Sequence, residues 1–242
     1  MGRVFATTSG KGGVGKSTVA VGLAFAFARA GEKVLLVDMD EGLRCLDLLL
    51  GVDDSTVLDL SDILGGCDIE DAVYKSKIEN LSLIPAPAVR GKIDPVRFKE
   101  FAKQVPSLYD TVIFDFPAGL DFFLYSLLPK NTVFLSVAVC DPVSVRDAAA
   151  TGKALLELGL HARLIINRFS FKESFCRKQK SIDGVIDSSY LCLLGIIPES
   201  DELNTLSCTH KIRKKGRPAK AFCRIAKRLS GDPIPLKNIK KI

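Results

Sequence analysis

Mainly apolar runs of six to eight residues punctuate the chain at near-regular intervals. They read "RVFATTS", "KVLLVDMD", "LSLIPA", "DTVIFDFP", "TVFLSVAV", "ARLIINRF" and "LCLLGIIP". Most show no apolar–polar alternation, so each is expected to be a strand buried on both faces. Between most of them apolar residues recur at helical spacing. A helix is expected from about Lys16 to Ala30, closed by Gly31, and others in "PVRFKEFAKQV" and "PVSVRDAAATGKALLELG", each with Pro near its start. A last helix is read in "AFCRIAKRLSG", after a basic loop "THKIRKKGRPAK" and before the proline-broken "DPIPLKNIKKI". Buried strands alternating with helices predict an α/β fold: a single domain with a mainly parallel sheet of about seven or eight strands and helices on both faces. The domain is expected over residues 1–231, with 232–242 a short basic tail.

Composition narrows the function classes. The 242 residues are 47% apolar and 26% charged, which suits one soluble globule with a sizeable core. With no Trp and four Tyr, an aromatic platform for sugars or single strands is not expected. The start has no signal-peptide pattern, and the longest apolar stretch, "TVAVGLAFAFARAG", is too short to span a bilayer. Seven scattered cysteines, none in a C-x-x-C pair, are expected to be reduced and buried as small core hydrophobes in a cytoplasmic protein.

Charge is unevenly spread. Residues 209–242 hold twelve Lys and Arg against one acid, Asp232, a net +11, which leaves −5 on the rest of a chain whose total is +6. A basic end on an acidic body points to an anionic membrane surface or nucleic acid, or else is a solvated face.

The sharpest chemical signal is "SGKGGVGKST", residues 9–18. Gly10, Gly15, Lys16 and Ser17 complete G-x-x-x-x-G-K-[ST] between a strand and a helix, the context of a phosphate-binding loop. Gly10, Lys11, Gly12, Gly13, Val14, Gly15, Lys16, Ser17 and Thr18 are the expected nucleotide-binding residues. Lys16 reaches the β- and γ-phosphates and Ser17 ligates Mg²⁺ directly. Asp115 ends an apolar strand in the Walker B manner and is expected to hold Mg²⁺ through water. Lys11 is surplus to such a loop: it either points to a phosphate held elsewhere or is a solvated loop lysine. No N-K-x-D sequence for guanine appears, so ATP is the expected nucleotide.

"KGGVGKST" resembles the deviant Walker A motif of the MinD/ParA ATPases, and the likeness runs from "RVFATTSGKGGVGKST" to "AKRLSGDPIP". Three stretches, "GLRCLDLLLG", "DFPAGLDF" and "SIDGVIDSSYLCLLGIIPES", are similar to the MinD branch. The resemblance implies that Lys11 crosses a dimer interface to the other subunit's nucleotide, so that the ATP-bound form is a homodimer. It implies Asp40 for activating the attacking water and Asp38 for organising Mg²⁺ and its loop; from the residues alone, a solvated turn serves equally. It implies that Gly119 senses the γ-phosphate, that Asn167 reads adenine and that Pro198 lies beside the base; a strand-end Asn also serves in turns. Phe116 departs from the family, which usually carries a small residue there.

"PVSVRDA" is similar to the helix where MinD proteins receive regulators, so Arg146 and Asp147 are candidates for a partner face. Partners of the MinC, MinE or DivIVA-linked kind are implied, and a role in division-site placement. The tail, with Leu236, Ile239 and Ile242 at helical spacing among Lys237, Lys240 and Lys241, suggests peripheral attachment to an anionic membrane. A ParA-type ATPase that partitions DNA or cargo is the first alternative, with Lys211 to Lys220 on phosphates. A flagellar-number regulator or an amidotransferase-like enzyme fits less well. No iron–sulfur cluster is expected.

Overall fold

A computed structural model of the protein describes residues 2–119, 121–175 and 181–236. Cys176 and the tail residues Lys237, Ile239, Lys240, Lys241 and Ile242 lie outside the described residues. Along the chain come β1 (Arg3–Thr8), α1 (Lys16–Arg29), β2 (Val34–Asp38), α2 (Leu46–Leu50), α3 (Leu60–Gly65), β3 (Tyr74–Lys75), β4 (Leu81–Ile84), α4 (Pro95–Gln104), β5 (Thr111–Asp115), α5 (Phe122–Leu127) and β6 (Val133–Ala138). Then follow α6 (Pro142–Glu157), β7 (His161–Phe169), α7 (Phe171–Phe175), α8 (Ile182–Ser189), β8 (Leu193–Pro198), α9 (Asp201–Asn204), α10 (Leu206–Thr209) and α11 (Arg217–Leu229).

Among the described residues the strands form one sheet in the order β3-β4-β2-β5-β1-β6-β7-β8. All neighbours are parallel except β3 and β4. The expected fold is thus observed, and seven strands fall where the apolar runs lie. The eighth, β3, is a two-residue antiparallel edge, too short to leave a periodic trace.

Strand pleating divides the core. Val4 and Ala6 of β1, Leu35 and Val37 of β2, and Val112 and Phe114 of β5 face one layer with α3 and α4. Phe5, Leu36 and Ile113 face the other, with α1 and α11. Helix α1 is apolar nearly all round because both its sides are covered, by the sheet and by α11.

Two expectations need correction. The last helix starts at Arg217, inside the segment read as a basic loop; Pro218 sits in its first turn, where a missing N–H is harmless. The cysteines are not uniformly core residues: Cys140 is buried, Cys45 is intermediate, and Cys67, Cys192, Cys208 and Cys223 are exposed. Cys67 and Cys192 lie in connecting segments, and Cys208 and Cys223 face outward from α10 and α11. No helix among the described residues is long and apolar enough to cross a membrane.

Candidate nucleotide site

Ligands of open α/β sheets bind at the C-terminal ends of the strands, where connections diverge. Here β1 lies between β5 and β6, and the loop that leaves it, residues 9–15, is gripped by its neighbours' loops. The Gly119 N–H, after β5, donates to the Ser9 carbonyl at 2.9 Å. From β7, the Asn167 carboxamide donates through Nδ2 to the Val14 carbonyl at 2.8 Å. Asp147 of α6 backs the loop so closely that a Cβ on Gly10 would stand 2.7 Å from its Cβ.

Gly15 has φ 83°, in the left-handed region, and begins α1 as its cap. A side chain there would also meet Asn167 Nδ2 at 2.4 Å. Only glycine satisfies both demands. Beyond it the first turn of α1 presents backbone N–H groups to an anion.

Lys16 is buried, its Nζ 2.9 Å from Asp115 Oδ1 and 3.3 Å from Ser17 Oγ. Burial alone pushes its ammonium group down, but the Asp115 carboxylate outweighs that and the net shift is upward. Asp115 Oδ1 also accepts from Thr7 Oγ1. The other oxygen, Oδ2, is buried and has no hydrogen-bond partner among the described residues.

Asp38 lies directly opposite Asp115 in the register of β2 and β5. Its oxygens accept from the backbone N–H groups of Asp40 at 3.0 Å and of Cys45 and Leu46 at 3.1 Å. Burial, then the Asp115 charge, push its carboxyl up to about 6, against the opposing pull of those three donors. Asp40 is half-buried at the mouth and is also raised by burial, with Lys16 opposing. Ser17, Asp38 and Asp115, whose Oδ2 has no partner among the described residues, form an oxygen donor set suited to a hard divalent cation such as Mg²⁺.

Sequence reasoning passed over Cys45, Tyr125 and, beside Lys11, Asp141. Burial, then the Asp38 charge, push the Cys45 thiol up to about 12, with Ser17 opposing; its nearness to Asp38 in "VDMDEGLRC" was the available signal. Tyr125 is fully buried and joins the end of β1 to the Gly119 loop through its hydroxyl, a contact no local motif announces. Phe116, the departure from the family pattern, turns into the core and packs edge-on against Tyr125 with centroids 4.8 Å apart.

Lys11 is placed quite differently from Lys16. Its side chain is 42% exposed at the loop tip, and its Nζ is 3.4 Å from both carboxylate oxygens of Asp141, the N-cap of α6. Pro198 is buried at the end of β8. Of the two partner-face candidates, Arg146 projects into solvent, whereas Asp147 is half-buried against Gly10.

Residues 5–213 match the CobQ/CobB/MinD/ParA nucleotide binding domain. The chain belongs to that family. A septum site-determining protein MinD from Synechocystis is 34% identical over 246 residues, covering 97% of this chain and 92% of the relative. The solved MinC:MinD cell division protein complex of Aquifex aeolicus contains a chain 31% identical, with a TM-score of 0.88 and coverage of 98% of this chain and 99% of that one. The septum site-determining protein MinD of Pyrococcus horikoshii, solved with Mg-ADP, is 29% identical with a TM-score of 0.83, covering 95% of this chain and 96% of its own. Membership of the MinD/ParA family implies the ATPase activity typical of P-loop NTPases, with MinD-type regulation of division-site placement the reading these relatives support best.

Proposed function

We propose that this chain is a slow ATPase switch whose ATP-bound form is a homodimer and whose hydrolysis, stimulated by a partner, times division-site placement. The observation that carries this reading is the contrast between the two lysines. Lys16 is buried on Asp115, so one ammonium already serves the chain's own phosphate site. Lys11 stands at the rim on a long, half-exposed contact that is easily exchanged. Such a cation suits delivery to a second subunit's triphosphate, where charge develops during phosphoryl transfer. Leu43, Val89, Phe123 and Val143, all exposed, follow the C-terminal ends of β2, β4, β5 and β6 on the same side of the sheet, as an interface there requires.

Within each subunit the loop amides and Lys16 bind and orient the phosphates, and Asp40 positions the attacking water. Asn167 holds the base edge with its buried Oδ1, which has no partner among the described residues, beside Pro198. Ser17 would hold Mg²⁺ directly and Asp38 and Asp115 would hold it through water, and the ion would neutralise phosphate charge. The Aquifex MinC:MinD complex favours a regulatory partner protein of that class, received near Arg146. The tail from residue 232 supplies peripheral attachment to an anionic membrane.

Lys11→Ala tests the switch. With a non-hydrolysable ATP analogue, the wild type is expected to elute as a dimer and the variant as a folded monomer. A variant that still dimerises rules out the role across the interface.

One observation favours a second reading, ATP-dependent attachment to DNA. Lys211, Lys214, Lys215, Arg217, Lys220 and Lys227 are exposed, and among the described residues none is ion-paired. Vesicle co-sedimentation and DNA gel shifts, each with ATP and ADP, separate the readings. DNA binding without vesicle binding selects the second.

A further inference from the structure

Gly119 is held at both ends of its peptide plane neighbourhood. Its N–H donates to the Ser9 carbonyl, and its own carbonyl accepts the Tyr125 hydroxyl at 3.2 Å. The same hydroxyl lies 2.7 Å from Thr8 Oγ1, so with the phenol proton directed to Gly119 the threonine donates to the phenol oxygen. Thr8 and Ser9 lead directly into the phosphate loop, and Ser9 Oγ continues the chain by donating to the Lys11 carbonyl at 3.0 Å. The Tyr125 ring cannot drift: Phe116 and Phe122 pack against it edge-on, at 4.8 Å and 6.0 Å, and Phe134 at 5.3 Å. Gly119 itself has φ 113°, a conformation that needs glycine, and no atom lies within 4 Å of a Cβ built on it. Space is thus open beside the Gly119 Cα, and hydrogen bonds tie its N–H and its carbonyl.

We propose that Tyr125 is a positioning residue: its hydroxyl latches Gly119 onto the end of β1, and a γ-phosphate has to compete with that latch to capture the Gly119 N–H. This rests on the ATPase reading above and adds the chain's own means of setting how strongly ATP is preferred over ADP. The N–H that a γ-phosphate would recruit is engaged with Ser9, and the phenol favours that engaged pose. ADP, lacking the third phosphate, leaves the latch closed. Phe116 fits the same device, because the ring in place of a small residue fixes the phenol it touches.

Tyr125→Phe keeps the ring and removes the latch. The ratio of ADP to AMP-PNP dissociation constants, each measured by calorimetry with Mg²⁺ on the full chain, is expected to rise by about five-fold, as loss of one net hydrogen bond from the closed pose dictates. The change is expected in AMP-PNP affinity, with ADP affinity unmoved. A role confined to stability would lower the melting temperature without moving this ratio. Thr8→Val, which removes the second partner of the phenol, is expected to shift the ratio the same way, and it decides the question if Tyr125→Phe does not fold. An unmoved ratio overturns the latch and leaves the ATPase reading standing. A wild type that binds neither nucleotide overturns both.

Discussion

Lys16 and Asp115 form a buried ion pair, with Nζ 2.9 Å from Oδ1 and side-chain exposures of 8% and 0%. Removing one member strands the other without water or counter-charge. Lys16→Met is therefore expected to lower stability by about 3–5 kcal/mol at pH 8 in the absence of nucleotide. Urea denaturation measures it. Adding Asp115→Asn should restore most of that loss but no ATP binding, because the replaced pair is neutral yet lacks the proposed phosphate and metal ligands.

Asp38 makes stability depend on pH in an unusual direction. Burial, then the Asp115 charge, push its carboxyl up to about 6 in the folded chain, from the 3.8 of a free aspartate. The folded state therefore binds this proton more tightly. Its contribution is complete below the unfolded value and is lost as pH rises to the folded one, by at most about 3 kcal/mol. With chelator present, Asp38→Asn should gain on the wild type between pH 4 and pH 7 by an amount of that order. Parallel stability profiles for the two proteins would contradict the assignment. Divalent cation added at pH 7 should narrow the gap, since it favours the charged form.

Gly22 of α1 lies against Phe222 of α11, with a hypothetical Cβ only 2.2 Å from the ring. Gly22→Ala is expected to destabilise by about 1–3 kcal/mol through overpacking. Phe222→Ala alone should cost about 3–5 kcal/mol. The double variant should lose clearly less than the sum, because the smaller residue vacates the space that the methyl needs. Thermal melts of the three variants measure this, and additive losses would show that the helices move apart instead.

The fold was legible because its strands are buried on both faces and so appear as uninterrupted apolar runs. Strand β3 was not, since two residues carry no period, nor was the start of α11, where Lys and Arg on the outer face mask Ala219, Ala221 and Phe222 on the inner one. The phosphate loop was legible from spacing because backbone curvature and phosphate contact dictate residue type locally. Asp38 and Asp115 were each visible as strand-end acids, but their pairing depends on β2 and β5 being neighbours, which only the sheet order gives. Tyr125 and Asp141 escaped notice for a related reason. Their partners, Thr8, Gly119 and Lys11, come mostly from distant parts of the chain.

One end of the Asn167 carboxamide holds the Val14 carbonyl, while the other end is buried and has no partner among the described residues. If Asn167 reads the base as proposed, whatever engages that end also tugs the loop proposed to hold the phosphates. Base identity and triphosphate grip are then read by a single lever, and an ill-matched purine would betray itself as a slackened hold on its own phosphate chain.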